Sequence, residues 1–138
     1  MIELESYCDV AGNDPFDEWF QGLDTDVAYA VHERLERVRQ GSFGDWKPLA
    51  DLGIHELRIH LGQGWRVYIG RDGPRLVLLL GGGPKSDQKK DKHTASARWA
   101  DYKQRKKEQQ KLERQTKDGE LSRQKAKRRG QSTKRKRK

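Results

Sequence analysis

Apolar and polar residues alternate strictly along two neighbouring segments, residues 56–61 and 65–69. The apolar positions are Leu57, Ile59, Leu61, Trp65, Val67 and Ile69. The polar positions between them are Glu56, Arg58, His60, Arg66 and Tyr68. A period of two is typical of a strand with one buried face. The pattern therefore predicts a β-hairpin whose polar side is rich in arginine, histidine and tyrosine.

The turn of this hairpin is predicted to be Gly62-Gln63-Gly64. A three-residue loop would set position 61 opposite 65, 60 opposite 66 and 58 opposite 68. A two-residue loop would place polar residues opposite apolar ones, so the pattern favours the longer turn. The prediction is an exposed surface that carries Arg58, Tyr68, His60 and Arg66.

The residues before the hairpin predict one strand and two helices. Residues 2–10 form the strand, and Asp14-Pro15 opens a short helix that Gly22 ends. A second helix, capped by Asp24 or Thr25, runs to Gly41. Its apolar stripe is Val27, Val31, Leu35 and Val38, and its charged outer face, predicted to be solvated, is Glu33, Arg34, Glu36, Arg37 and Arg39. Phe16, Trp19 and Phe20 are expected in the core or against a partner.

The residues after the hairpin complete an α+β fold. Residues 75–80 are nearly all apolar, which is typical of a central strand covered on both faces. Residues 81–84 predict a flexible or sharply turned exit, and residues 85–102 a helix. The packing residues of that helix are expected to be Ala95, Ala97, Trp99 and Tyr102. The prediction is a small antiparallel sheet with one face packed on two N-terminal helices and the other face exposed.

Charge divides the chain into two parts. Residues 1–102 hold 13 Lys/Arg and 17 Asp/Glu, whereas residues 103–138 hold 17 and 4, a net charge of +13. The second part has only Leu112, Leu121 and Ala126 as aliphatic residues, so it cannot form a core. We predict one domain over residues 1–102 and a basic tail over 103–138, helical to about Lys117 and disordered beyond. The tail either aids solubility or attaches to nucleic acid without reading its sequence.

Several kinds of site are disfavoured. The single Cys8 cannot form an internal disulfide and is expected to be a small buried residue. The histidines lack metal-ligand spacing, and the glycines before Lys85 lack the spacing of a phosphate loop, so no metal or other cofactor is predicted. The N-terminus has no signal-peptide pattern and no apolar run is long enough to span a membrane, which predicts a cytoplasmic protein.

The polar face of the hairpin allows two interpretations. The first is an ordinary solvated face in which Arg58 and Glu56 form salt bridges. The second is metal-free RNA cleavage, in which the 2′-hydroxyl attacks the phosphate with help from a base, an acid and cations. An imidazole ordinarily titrates near neutral pH, which makes His60 and His93 candidate acid–base groups. Tyr68 could orient the reacting group or stack on a base.

Five motifs in order resemble the RelE/ParE superfamily of toxins, and in particular its phage-derived, HigB-like "addiction module killer protein" group. They are Phe16-Asp17-Glu18-Trp19, the loop 41–47, His55-Glu56-Leu57-Arg58, the turn and strand 62–68, and Gly82-Gly83-Pro84-Lys85-Ser86-Asp87-Gln88-Lys89-Lys90-Asp91. The similarity covers residues 7–102. One departure is Asp91-Lys92-His93, where the group usually has Asp-Ile.

The resemblance implies the toxin of a type II toxin–antitoxin pair that cleaves mRNA on the ribosome. It implies an RNA-contacting role for Arg66 and a phosphate-stabilising role for Lys85. The departure at Asp91-Lys92-His93 is either neutral or makes His93 the acid–base group. Arg58, Tyr68, Lys89 and Lys90 are then the expected RNA-binding residues. The expected partners are mRNA, the ribosome and an antitoxin of the helix-turn-helix type. Two alternatives stay open: a ParE-like inhibitor of DNA gyrase without nuclease activity, and a degenerate member that only binds antitoxin or nucleic acid.

Overall fold

The computed structural model describes the backbone of residues 1–136 and the side chains of residues 1–124. It divides the chain into two compact units, Met1–Tyr102 and Lys103–Lys138. The strands are β1 (Glu3–Ser6), β2 (Trp46–Leu49), β3 (Ile54–Ile59), β4 (Trp65–Asp72) and β5 (Leu76–Pro84). The helices are α1 (Pro15–Gln21), α2 (Thr25–Arg39) and α3 (Gln88–Lys136), with short 3₁₀ turns at Ala50–Leu52 and Lys85–Asp87.

The five strands form one mixed sheet in the order β1-β5-β4-β3-β2. The strands from β2 to β5 are antiparallel, but β1 pairs with β5 in parallel. The α+β class is confirmed, whereas the prediction of an antiparallel sheet is wrong at this edge. No hairpin joins β1 to its neighbour, so no turn forces the two strands to run in opposite directions. The edge strand β2 was not predicted, and its Pro48 suits an edge position.

The two N-terminal helices begin and pack as the sequence indicates. The side chain of Asp14 accepts a hydrogen bond from the backbone N–H of Asp17 at 3.0 Å, and Gly22 ends α1. Asp24 is the N-cap of α2. The predicted stripe of Val27, Val31, Leu35 and Val38 is buried against one face of the sheet, together with Phe16.

The other face of the sheet is also covered, so the predicted exposed face is wrong. A second core contains Ile54, Tyr68, Leu78 and Leu80 from the sheet and Ala95 and Trp99 from α3. The prediction failed because Glu56, Arg66 and Tyr68 were taken for solvated residues, yet all three are buried. The central strand β5 is covered on both sides, as its apolar run predicts. Ala97 of α3 is exposed, so its predicted packing role is wrong.

The glycines at residues 81–83 continue β5 instead of forming a flexible exit. They leave space for side chains that lie directly on the strand. A Cβ at Gly82 would overlap the Trp19 ring, one at Gly83 would overlap the Asp91 carboxylate, and one at Gly81 would lie too close to Arg98. The glycine run therefore serves close packing between the sheet and its helices.

Cys8 is exposed, which corrects the expectation of a buried residue. The predicted strand over residues 2–10 is shorter, and β1 ends at Ser6, so Cys8 lies outside the sheet.

The second unit is helical, since α3 extends to Lys136. This differs from the expected loss of helix beyond Lys117. A glycine inside a helix costs only about 1 kcal/mol relative to alanine, and most residues around Gly119 are good helix formers. Pairs four residues apart, Gln104 with Glu108 and Gln109 with Glu113, add hydrogen bonds along the helix.

Candidate functional site

The hairpin has the predicted faces but a different register. Ile59 lies opposite Trp65 and Arg58 opposite Arg66, so the turn comprises the five residues 60–64. The expected pairs, 60 with 66 and 58 with 68, are therefore wrong by two positions. A shift of two keeps every side chain on its face. It moves His60 out of the strand and into the turn, where it is exposed.

A cluster of polar side chains, which we call the Glu56 network, lies beside the second core. It consists of Glu56, Arg58, Arg66 and Gln88. The carboxylate of Glu56 is fully buried. Its Oε1 lies 3.0 Å from Nε of Arg66 and accepts a hydrogen bond from Nε of Arg58 at 3.3 Å. Gln88 donates to both carboxylate oxygens, at 3.1 and 2.9 Å. A buried charge requires such partners, and here three side chains supply them.

Arg66 and Tyr68 are held inside this network and core. The Arg66 side chain is 7% exposed, and its Nε makes an ion pair with Glu56, without the alignment of a hydrogen bond. Its Nη1 donates to the carbonyl of Trp65 at 3.1 Å. Burial, with the nearby charge of Glu56, raises the pKa of Tyr68 well above its ordinary value of 10. The packing of α3 on the sheet buries Arg66 and Tyr68, so the prediction that both lie on an open surface is wrong.

A groove on the opposite side of the sheet lies between α2 and the hairpin turn; we call it the α2–turn groove. Its volume is about 520 Å³. The residues that line it are Tyr29, Ala30, Glu33, Arg34, Arg37, Gly44, Asp45, Arg58, Ile59, His60 and Leu61. Tyr29 is 66% exposed. Tyr29, Glu33 and Arg37 are spaced by four residues, which places them on one face of α2.

Asp45 and His60 form an exposed pair at this groove. Nε2 of His60 and Oδ2 of Asp45 are in hydrogen-bond contact, with side-chain exposures of 70% and 47%. The hydrogen bond with His60, aided by the positive charges of Arg58 and Arg34, holds the pKa of Asp45 below its usual value of 3.8, although desolvation opposes it. When Nε2–H is donated to Asp45, Nδ1 is the acceptor that a substrate would meet.

Arg34 forms the cationic floor of the groove. It is 5% exposed, so its predicted place on a solvated face is wrong. It donates to the main-chain carbonyls of Asp45 at 2.8 Å and Arg58 at 3.4 Å. Burial and the nearby charge of Arg37 lower the pKa of Arg34. Its buried Nη1 has no hydrogen-bond partner, and Arg34 has no ion pair among the residues whose side chains are described. Its charge is therefore enclosed beneath the groove, where the nearby charge of Asp45 partly offsets the lowering of its pKa.

The remaining predicted site residues are exposed but dispersed. Lys85 lies in the 3₁₀ turn after β5, where its backbone N–H donates to the carbonyl of Gly64 at 3.0 Å. A side chain at Gly64 would contact both Lys85 and Arg66, so the structure brings these two residues together. Lys89 and Lys90 lie in the first turn of α3 and are exposed.

His93 does not join His60. It lines a separate hollow of about 310 Å³ beside β2, together with Lys92 and Asp51. The two histidines that chemistry selects as acid–base candidates thus line different hollows.

Sequence reasoning missed the residues that organise both clusters. Glu56 was considered only as a surface salt-bridge partner, and Gln88 had no assigned role. In the groove, Asp45 had no assigned role and Arg37 was assigned to a solvated face. The spacing of Tyr29, Glu33 and Arg37 was a signal for the groove, but nothing local indicates that the hairpin turn lies beside it.

Over the residues with described side chains, no group of three or more histidine, cysteine, aspartate or glutamate residues is placed to hold a metal ion. In the same part of the chain, no helix is both long and apolar enough to cross a lipid bilayer.

Comparison with known proteins gives one informative relative. No protein-family model matches the sequence. An "Uncharacterized protein" of Haemophilus influenzae is 48% identical to this chain over 77 residues, which are 55% of this chain and 77% of the relative. Identity at this level over most of the relative's length implies a shared fold and common descent. The chain therefore belongs to the same family as this Haemophilus influenzae protein.

Proposed function

We propose that this protein is the toxin of a type II toxin–antitoxin pair, and that it cleaves mRNA in the α2–turn groove. The observation that carries the cleavage site is the exposed Asp45–His60 pair, which lies in the same groove as the exposed Arg37 and the buried Arg34.

The toxin assignment rests on the motifs that resemble the RelE/ParE superfamily. Three of those motifs contribute residues to the Glu56 network, namely Glu56, Arg66 and Gln88. This contact between motifs supports their importance to the fold.

The groove supplies a base and cations for metal-free RNA cleavage. His60, held by Asp45, accepts the proton of the 2′-hydroxyl at Nδ1. The 2′-oxygen then bonds to phosphorus, the bond from phosphorus to the 5′-oxygen breaks, and the leaving 5′-oxygen takes a proton from water at the open groove. Arg37, which is exposed at the groove, stabilises the negative charge that develops on the phosphate, and the buried charge of Arg34 beneath the groove adds a favourable electrostatic field without contact. The exposed ring of Tyr29 offers a surface on which a base can stack.

This proposal changes the role of Arg66. Since its guanidinium is buried against Glu56, we assign it to stability and not to contact with RNA. Lys85, Lys89 and Lys90 remain exposed cations that can bind phosphates outside the groove. His93 is the competing acid–base candidate, and it provides the comparison that the experiment needs.

The test is induced expression in a bacterial host, with mapping of mRNA 5′ ends, and cleavage of mRNA by the purified protein with translating ribosomes. The wild type should arrest growth and cut mRNA. Co-expression of the antitoxin, expected from a neighbouring reading frame, should relieve the arrest. His60→Gln should reduce the cleavage rate by about 10²–10⁴-fold, whereas His93→Gln should leave it unchanged. Both substitutions lie at exposed positions, so both variants should fold.

Three results would contradict the proposal in different ways. Loss of cleavage in His93→Gln with normal cleavage in His60→Gln would move the site to the hollow beside β2. Growth arrest with intact mRNA and a DNA-damage response would indicate gyrase as the target. Normal growth despite soluble expression would remove the toxin assignment.

A further inference from the structure

The second unit carries a positive stripe along α3, formed by Lys107, Lys111, Arg114 and Lys117. These residues are spaced by four, three and three positions, which places them within about a third of the helix circumference. All four are exposed. The stripe is about 15 Å long at 1.5 Å per residue. It is thus an extended line of charge and not a single cationic point.

Acidic neighbours offset only part of the charge in this region. Over residues 103–124 the chain has eight Lys/Arg and four Asp/Glu. Glu108 and Glu113 accept hydrogen bonds from Gln104 and Gln109. The four stripe residues form no ion pair among the described side chains. The charge of the stripe is therefore presented to a partner.

Over residues 103–124, the helix lacks the apolar face that a membrane or a partner helix would require. The two large apolar residues of this stretch, Leu112 and Leu121, are 63% and 55% exposed. They are nine residues apart, which places them on roughly opposite sides of the helix. A surface helix that inserts into lipid or packs on another helix has its apolar residues on one side. Charge is thus the property that selects the partner.

We infer that this stripe binds the phosphate backbone of double-stranded nucleic acid, without reading base sequence. A row of lysine and arginine contacts releases counterions from the phosphates, which supplies affinity independent of sequence. RNA and DNA duplexes share this chemistry. The inference goes beyond the proposed cleavage and does not depend on it, because no stripe residue lies in the α2–turn groove.

The test measures binding of the full chain to a 20-base-pair RNA duplex, and to a DNA duplex of the same sequence, by fluorescence anisotropy across a salt series. The variant Lys111→Gln/Arg114→Gln removes two stripe charges. The control, Lys47→Gln/Arg75→Gln, removes two exposed charges from the first unit. Glutamine forms helices nearly as well as lysine and arginine, so circular dichroism should be unchanged.

The stripe variant should reduce the slope of log affinity against log salt by about 1 to 2, since each contact contributes about 0.9. The control should keep the wild-type slope, and duplexes of a second base sequence should bind equally well. Equal slopes for the stripe variant and the wild type would overturn the inference. So would an equal loss in both variants, or binding to vesicles of anionic lipid without binding to either duplex. Cleavage of mRNA on ribosomes by the wild type and His60→Gln is measured in a separate experiment. Failure of the duplex-binding proposal can therefore be distinguished from failure of the cleavage proposal.

Discussion

The Glu56 network and the α2–turn groove each place a carboxylate beside cationic side chains, but they differ in the exposure of that carboxylate to solvent. The carboxylate of Glu56 is fully buried and surrounded by Arg58, Arg66 and Gln88. The side chains of Asp45 and His60 are 47% and 70% exposed. Burial fixes the first cluster as part of the fold, whereas exposure leaves the second able to meet a substrate.

The comparison shows why the type of a charged residue does not reveal its role. Arg66 and Arg37 carry identical groups, but the first is enclosed under α3 and the second is exposed at the groove. Removing one partner of a buried pair leaves an uncompensated charge in a poorly solvated place. Removing one partner of an exposed pair lets water replace it. Stability measurements should therefore separate the two regions.

The largest effect is expected for Glu56→Ala. This change leaves two arginines without their buried counter-charge, and should lower the free energy of unfolding by about 3–5 kcal/mol. Urea denaturation of the full chain at pH 7 would measure it. Glu33→Ala, an exposed carboxylate of the groove, is the control and should shift the midpoint little. A loss below about 1 kcal/mol in Glu56→Ala would mean that the network does not stabilise the fold.

A smaller effect is expected for Gln88→Ala. The substitution removes a donor to both oxygens of Glu56 but keeps the two arginines. Loss of a hydrogen-bond donor to a buried charged group should cost about 1–3 kcal/mol. Gln63→Ala in the exposed hairpin turn is the matched control for the same urea experiment. Equal midpoints for the two variants would show that water replaces the amide of Gln88.

The smallest effect is expected for Asp45→Asn. Because the folded-state pKa of Asp45 is lowered, its charged form stabilises the fold at pH values above about 3.8. That contribution is lost as the pH falls through the lower, folded-state value. The thermal midpoint of the variant should lie slightly below that of the wild type at pH 7, and the two should converge as the pH falls below 3.8. A drop at pH 7 larger than that of Gln88→Ala would place Asp45 among the structural residues.

The sequence predicts the faces of the hairpin well because side-chain alternation is a local property. Leu57, Ile59 and Val67 pack on the same side, as their period of two requires. The register is less accessible, because it depends on how the turn closes. Gly62 and Gly64 mark the turn correctly, but the turn also includes His60 and Leu61.

The role of the polar face could not be predicted from the same pattern. Glu56 and Arg66 have the alternation of exposed residues, and only the arrival of α3 shows that they are covered. The pairing of Glu56 with Gln88 spans 32 positions, and no periodicity within β3 indicates it. Likewise, Arg34 has the spacing of an outer helix residue, but the loop that carries Gly44 and Asp45 encloses it.

The glycines at residues 81–83 have a consequence for the order in which the sheet can assemble. A strand segment without side chains has no cross-strand side-chain contacts with which to select its register. In β5 the partners that cover this segment come from elsewhere, Trp19 from α1 and Asp91 from α3. The two helices lie on either side of the strand in sequence, so the side-chain packing of this end of β5 is complete only when both have docked, although its backbone pairs with β4. We therefore expect the half of β5 near Pro84 to close last during folding, after the apolar half at residues 77–80.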